Sequence, residues 1–276
     1  MSGVLERSLA IIELLARNPA GLTVSAISAD LDLPVSAAHR LLNELAKFGY
    51  VRQVRAQGEY MLTIKLAALG LGFLGQMGVT DIAQPILDRM ARLSGELIRL
   101  SVIDGNNLIW VGVSQGATGG LRYDPNAEQG QVVHLASSAG GHAWLSAVSD
   151  DEALRMVAEQ GLHPPFEPGP KAPATLSQLL EQLAEDRARG YAVAVDSYTV
   201  GMAAMAVPIR HPDDGRVIGC LSIAGPAVRV TPAYMARMAP ALQEAADEIA
   251  TATRASHFFD RPDTAPASAQ TAGRKR

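Results

Sequence analysis

One cysteine, Cys220, stands in a chain of 276 residues. An internal disulfide is thereby excluded, as is any zinc site built on thiolates, and a reducing cytoplasm is the compartment that fits. Long hydrophobic runs are missing too. No stretch approaches the roughly eighteen apolar residues that a membrane span needs, so no membrane partner is expected. The opening residues lack the basic, apolar, small-residue order of a secretory signal. There is no H-E-x-x-H, no C-x-x-C, no P-loop and no G-x-G-x-x-G following a strand, so neither a metal nor a nucleotide cofactor is implied. Internal repeats are absent. Charge of one sign is scarce as well: the net charge is −4, which argues against a general coat for nucleic acid. Residues 1–65 hold seven Lys/Arg and six Asp/Glu, against seventeen and twenty-two in the remainder. Any binding to DNA must therefore come from a few placed cations, multiplied by oligomerisation.

What is present begins with LDLPVSAAHRLLNELAKFGY, Leu31 to Tyr50. Pro34 suits the first turn of a helix, and Ala38, Leu41, Leu42, Leu45 and Phe48 recur at three- and four-residue spacing on one face. At 100° per residue Ser36, Arg40, Asn43 and Lys47 share the opposite face. A hydroxyl, a guanidinium, an amide and an ammonium on a short helix suit a major groove, where Arg reads guanine edges and Asn adenine edges. Alone, the pattern equally describes an amphipathic helix with a solvated face. Its neighbours decide. Leu5, Leu9, Ile12 and Leu15 mark a first helix, Thr23 caps a second that turns Ile27 and Leu31 inward, and Asp32-Leu33 is a tight connection. Three helices so arranged make a helix-turn-helix with the third in the recognition position. Tyr50–Arg55 and Glu59–Leu62 then flank Ala56-Gln57-Gly58, a β-hairpin that completes a winged helix. Arg52 and Arg55 ride on the wing, where they either touch sugar-phosphate or simply keep an edge soluble.

Ile64 to Leu74 reads as an apolar connecting helix that packs against another subunit, or else folds back on its own winged domain. A second domain opens near Asp81 with a helix over Ile82, Ile86, Leu87, Met90 and Leu93. Strands are expected at 97–103, 108–113, 121–123, 191–195, 202–210 and 217–224, and helices at 137–148, 150–159, 176–189 and 232–253. The fold class is α+β: a winged helix-turn-helix, a connecting helix and a mixed antiparallel sheet backed by helices. The divisions fall at 1–62, 63–78 and 79–255, with a disordered tail over 256–276.

In its order and spacing this resembles the IclR family of bacterial transcriptional regulators. The resemblance is carried by VLERSLAIIELL, LDLPVSAAHRLLNELAKFGYV, YMLTIKLAALG, RGYAVAVDSYTVGMAAMAVPIR and GRVIGCLSIAGPAVRVTP, and runs from about Val4 to Thr253. It implies a GAF-like effector-binding domain, a dimer or dimer of dimers, and a double-stranded operator as partner, with RNA polymerase a further one. The recognition motif falls on Ser36, Ala37, Ala38, His39 and Arg40, and Ala37 and Ala38 stand where relatives often have Thr and Val. With Asn43, Lys47, Arg52 and Arg55 these make the expected DNA-contacting set.

For the effector, Ser137, Ser138 and Gly140 precede a helix whose N-terminus offers hydroxyls and backbone N–H groups to an anion, although such serines also serve as plain caps. The resemblance adds a small organic acid as ligand and places Arg122, Tyr123, Asp196, Ala204 and Ser222 near the pocket. Ala194, Val195, Ala204 and Ala224 replace polar or sulfur-bearing residues of some relatives. A pocket with fewer polar groups favours an aromatic or longer-chain acid, because an unpaired polar group costs ~1–3 kcal/mol on burial. Two other readings remain at this point: a winged-helix regulator whose second domain only oligomerises, and a hydrolytic enzyme using His134, His142, Ser137, Ser138 and Asp196.

Overall fold

The computed structural model describes residues 3–54, 58–77, 79–123 and 130–252, with 74–82 described by their backbone. Two compact units divide the chain, Met1–Gln76 and Met77–Arg276. The expected tail at 256–276 and the wing residue Arg55 lie outside the described residues.

In the first unit α1 (Val4–Arg17), α2 (Val24–Asp30) and α3 (Val35–Lys47) surround one small core, and a hairpin of β1 (Val51–Gln53) and β2 (Tyr60–Leu62) follows. Thr23 caps α2 by accepting the Ala26 N–H at 3.2 Å. Between α2 and α3, Asp32 adopts φ +48°, and Ser28 closes the turn by taking the Leu33 N–H on its carbonyl and donating its hydroxyl to the Leu33 carbonyl. Pro34 is the N-cap, one residue before the helix it was expected to open. Ala38, Leu41, Leu42 and Leu45 are buried, but Phe48 is exposed, because α3 ends at Lys47 and the chain turns away before a further apolar turn forms. The hairpin is tied to the helices: Tyr60 exchanges backbone hydrogen bonds with Leu22, and the Lys65 ammonium donates to the Phe48 carbonyl at 2.7 Å.

Helix α1 departs from expectation in its rotation. Ile11 and Leu15 fill the core, while Leu5 and Leu9 are exposed. Three short helices enclose room for a single row from each, so the second apolar row of α1 is left outside. The next helix, α4 (Lys65–Met77), likewise exposes Leu66, Leu69, Leu71 and Phe73. It carries Gly70, Gly72 and Gly75 at G-x-G-x-x-G spacing in mid-helix, which is not the strand-to-helix turn a dinucleotide needs.

The second unit is a five-stranded sheet of order β4-β3-β7-β6-β5, with every pairing antiparallel. Its strands are β3 (Leu97–Asp104), β4 (Asn107–Gln115), β5 (Ala192–Val195), β6 (Met202–Arg210) and β7 (Val217–Pro226). The last strand inserts between the first and the fourth of the sheet, so β7 is paired along both edges, and helices on the two sheet faces bury it on both sides. No strand forms at 121–123, where the chain after β4 has left the sheet edge; the neighbour β4 takes there is the isolated bridge Ile109 to Val132. Helices α5 (Val79–Ser94) and α9 (Pro232–Ala252) cover one face through Leu87, Met90, Leu242 and Ala246. Leu93, expected in that core, is exposed near the helix end. Helices α6 (Ala139–Leu145), α7 (Asp150–Gln160) and α8 (Leu176–Arg189) cover the other face through Leu145, Met156 and Leu183. Cys220 is fully buried in this second layer, and burial pushes its thiol well above the ordinary range.

Helix α6 sits close to the chain before it. A methyl added at Gly141 would lie 2.2 Å from the Leu135 carbonyl oxygen, so glycine is required for the approach. The turn is pinned by buried polar groups: the His142 ring bonds the Ala136 carbonyl at 2.9 Å and the Asp186 carboxylate at 3.2 Å. His134 bonds the Ser137 hydroxyl at 2.8 Å and the Gly161 carbonyl at 3.2 Å. Burial holds the His134 pKa below its ordinary 6.5 despite the Gly161 contact.

Gly141→Ala should therefore displace α6 and lower stability by about 1–3 kcal/mol, read as a fall in melting temperature. Because His134 resists protonation when folded, the unfolded chain binds more protons below about pH 6.5, and stability declines as pH falls through that value. Melting curves from about pH 8 to about pH 5 should show a shallower decline in His134→Gln.

Candidate functional site

Two sites stand out, one in each unit. On α3, Ser36, His39, Arg40, Asn43 and Lys47 are all exposed, and Ala37 is half-buried. One hydrogen bond orders the middle of this face: the Asn43 amide approaches His39 Nδ1 at 3.1 Å, one helical turn away. Lys47 lies 2.6 Å from Glu44, so its charge is offset locally, whereas Arg40 enters no ion pair among the described residues. Arg52 is exposed on β1 next in sequence to buried Val51, an ordinary alternation along a two-stranded wing. The face thus carries hydrogen-bonding side chains without a concentration of charge.

The second site is a cavity between α6 and the sheet, partly open to solvent; about 470 Å³ of empty space lies there, part of it open solvent. Its floor follows from strand register. Ala194 pairs with Ala204, and Ala204 with Ala224, so three alanines stand in one row across β5, β6 and β7. The neighbouring row runs Ala192, Ala206, Ser222 and Arg99. Small side chains on one face of adjacent strands leave room that α6, with Gly140 at the cavity, does not fill. The walls are aromatic. Trp110 and Tyr198 meet edge to face at 5.8 Å, and Phe166 stands 4.8 Å behind Tyr198. Arg99 is buried in the wall, its guanidinium carbon 4.7 Å from the Trp110 ring and 5.1 Å from the Tyr123 ring.

Of the effector residues expected from sequence, Tyr123, Ser138, Gly140, Ala204 and Ser222 line this cavity. Arg122, Ser137 and Asp196 are not among its lining residues. Arg122 is exposed, and Ser137 is buried on His134. Asp196 holds the loop after β5. At φ +48° it accepts the Gly201 N–H at 2.7 Å and sits 3.4 Å from Lys171, positioning the turn that brings Tyr198 and Thr199 to the cavity. Sequence reading missed Arg99 and Trp110. The signal was there: a lone Arg inside the otherwise apolar run Leu97–Ile103 is either paired or functional.

The enzyme reading finds no assembled centre. His142 is enclosed by Ala136 and Asp186, and the Ser137 hydroxyl on His134 is buried away from the cavity. Gly112-Val113-Ser114-Gln115-Gly116 has the G-x-S-x-G spacing, but Ser114 lies within β4 and donates to Asp88 at 2.7 Å. Among the described residues no group of three or more His, Cys, Asp or Glu could hold a metal ion, and no helix is long and apolar enough to cross a membrane.

Comparison with known proteins agrees over both units. The model of the IclR helix-turn-helix domain matches residues 4–55, and that of the bacterial transcriptional regulator IclR C-terminal region matches residues 72–251. The transcriptional repressor AllR of Salmonella typhimurium is 29% identical over 248 residues, covering 90% of this chain and 89% of that protein. AllR of Escherichia coli K12 is 28% identical over the same length. Among solved structures, Thermotoga maritima IclR shares 26% identity at a TM-score of 0.70, covering 90% of this chain and 97% of that one. An IclR homologue from Microbacterium hydrocarbonoxydans, solved with 4-hydroxybenzoate, shares the fold at 24% identity and a TM-score of 0.73, covering 92% and 100%. With an exposed polar recognition helix in front of a hairpin and a sheet domain matched nearly from end to end, this chain belongs to the IclR family of DNA-binding transcriptional regulators.

Proposed function

We propose that the protein is a repressor or activator of a catabolic operon that releases or engages its operator when a small aromatic acid enters the cavity of the second unit. The cavity carries this reading. An alanine floor with aromatic walls and a buried guanidinium suits a flat apolar body ending in an anion, and offers little to a small polar acid, whose groups would be left unpaired. That the Microbacterium homologue was solved with 4-hydroxybenzoate adds support, and the repressor names of the Salmonella and Escherichia relatives favour repression as the output.

At the DNA, Arg40 and Asn43 read base edges in the major groove, with Ser36, Ala37 and His39 at the leading end, while Lys47, Arg52 and Arg55 lie along phosphates. So few cations give weak binding from one copy, and two copies acting on half-sites about 34 Å apart multiply it. The exposed apolar rows of α1 and α4, Leu5, Leu9, Leu66, Leu69 and Phe73, supply a surface for the second copy and favour a homo-oligomer over a monomer. The protein acts in the cytoplasm, where its operator lies. The effector need only favour one arrangement of the oligomer by ~1–3 kcal/mol to change operator occupancy by one or two decades.

Arg40→Ala should lose sequence-specific retardation of operator DNA while keeping its melting temperature and oligomer size; undiminished specific affinity removes Arg40 from the interface. In a thermal-shift screen, an aromatic acid at a hundred times its Kd should add ~2.7 kcal/mol of stability. Ala204→Leu, which fills the cavity floor, should abolish that shift and the effector's influence on DNA binding, and leave operator affinity itself unchanged. If no acid stabilises the protein, the second unit serves assembly alone.

A further inference from the structure

We infer that Phe166, a side chain outside the cavity, gives the cavity its preference for a flat ring. As a positioning residue it holds Tyr198 against Trp110, and so keeps the aromatic wall closed beside the shelf of Ala194, Ala204 and Ala224. The inference rests on the cavity being the effector site and adds which residue fixes the shape that the site admits.

Tyr198 stands on the loop between β5 and β6, whose backbone is fixed at both ends. Asp196 accepts the Gly201 N–H at 2.7 Å, and the Gly201 carbonyl takes the Ala227 N–H at 2.8 Å. Backbone bonds do not set the two side-chain torsions of a tyrosine. Packing does, and two rings supply it: Trp110 edge to face at 5.8 Å, and Phe166 tilted by 56° at 4.8 Å. Trp110 belongs to β4 and stays where the sheet puts it. Phe166 belongs to no helix or strand, so its own place is secured by other means.

Those means lie in its segment. Between α7 and α8 the chain runs from Gly161 to Thr175 without regular structure, and Pro164, Pro165 and Pro168 restrict φ around Phe166. Near the start, buried His134 bonds the Gly161 carbonyl at 3.2 Å and meets the Phe166 ring edge to face at 6.3 Å. Farther on, the Gly169 N–H donates to the Ser197 carbonyl at 2.8 Å, and the Lys171 N–H to the Asp196 carbonyl at 2.9 Å. A methyl at Gly169 would lie 2.1 Å from the Asp196 carbonyl oxygen, so the two loops meet backbone to backbone. The segment that carries Phe166 is thus clipped to the residues just before Tyr198, and the two rings are held at one spacing.

The exposure of Phe166 points the same way. It is 38% exposed and does not line the cavity. A ring left so far in solvent adds little to the core, whereas behind Tyr198 it blocks the rotamers that would swing that side chain outward. A wall braced in this way leaves a fixed clearance over the alanine methyls. A flat ring fits that clearance. A puckered ring of the same carbon count is thicker, and has to push Tyr198 off Trp110 to enter.

The test uses the full-length chain and two carboxylates of equal carbon count, benzoate and cyclohexanecarboxylate, with affinities from isothermal titration calorimetry. The wild-type chain should prefer benzoate by roughly tenfold, and Phe166→Ala should erase that preference with operator affinity unchanged. Phe166→Tyr, which keeps the ring, should retain the preference; its loss there too overturns the inference. In a Tyr198→Ala background, Phe166→Ala should alter the ratio no further, since the brace has nothing left to hold, and a further fall overturns the route through Tyr198. Should the Ala variant fail to fold, Phe166→Leu decides, a reduced ratio supporting the assignment and an unchanged one overturning it. A preference left intact in folded Phe166→Ala overturns the role of Phe166 and leaves the cavity's sensing function standing. A wild-type chain that shows no preference, or binds neither probe at millimolar concentration, overturns the inference, and the cavity reading then stands or falls by the thermal-shift screen.

Discussion

The antiparallel register of β7 between β3 and β6 is the constraint from which the second unit's function follows. Because β7 is paired on both sides, its residues are locked to partners on β3 and β6 within the same rows. A slip by one residue would turn every side chain to the opposite face, exchanging the large residues of one layer for the small ones of the other. The fixed register instead collects Ala194, Ala204 and Ala224 in one row and Ala206, Ser222 and Arg99 in the next. Close approach of the strands helps to hold it: a methyl at Gly219 would stand 2.2 Å from the Ser101 carbonyl oxygen. The space above the shelf is thus a product of backbone pairing, and needs no strained side chain to keep it open.

Around that shelf, buried ion pairs do the positioning. Glu96 is buried and takes two bonds from Arg229, at 2.5 and 2.9 Å, which joins the start of β3 to the turn after β7. A pair of this kind adds little net stability against an apolar alternative, but loss of one partner strands the other. Its use here is geometric: the same guanidinium reaches Leu121 and fixes the stretch leading to Tyr123. Asp186 has a similar office on the far side, bonding Arg189, the Val193 N–H and His142, so that α6, α8 and β5 are joined at one carboxylate. Polar groups in both places specify relative position more than they add stability.

Much of this was legible in the chain. Helix α8 and strand β6 fall where periodicity places them, since caps such as Thr175 and turns such as Asp213-Asp214-Gly215 act through neighbouring residues. The exposed polar face of α3 was legible for the same reason, as 100° per residue is a local rule. Less legible was anything that depends on partners distant in sequence. The rotation of α1, which exposes Leu5 and Leu9, reflects how much core three short helices can enclose, and no single apolar stripe announces that. The cavity was half-visible: Ser138 could be suspected from the helix it precedes, and Ala204 and Ser222 from the resemblance, whereas Arg99 and Trp110 reach it only through the β3–β4 and β3–β7 pairings. Asp196 was placed near the pocket by the resemblance. In the structure its positive φ and its bond to Gly201 hold the loop after β5, and it is not among the lining residues of the cavity.

The isolation of Cys220 carries a consequence of another kind. Oxidants and electrophiles react with thiolates, and a sulfur walled in by both helix and sheet, with its proton held by burial, presents none to them. With no second sulfhydryl in the chain to form a bridge, swings in cellular redox poise pass this molecule by. A switch that works by oxidising a thiol is therefore not built into this chain.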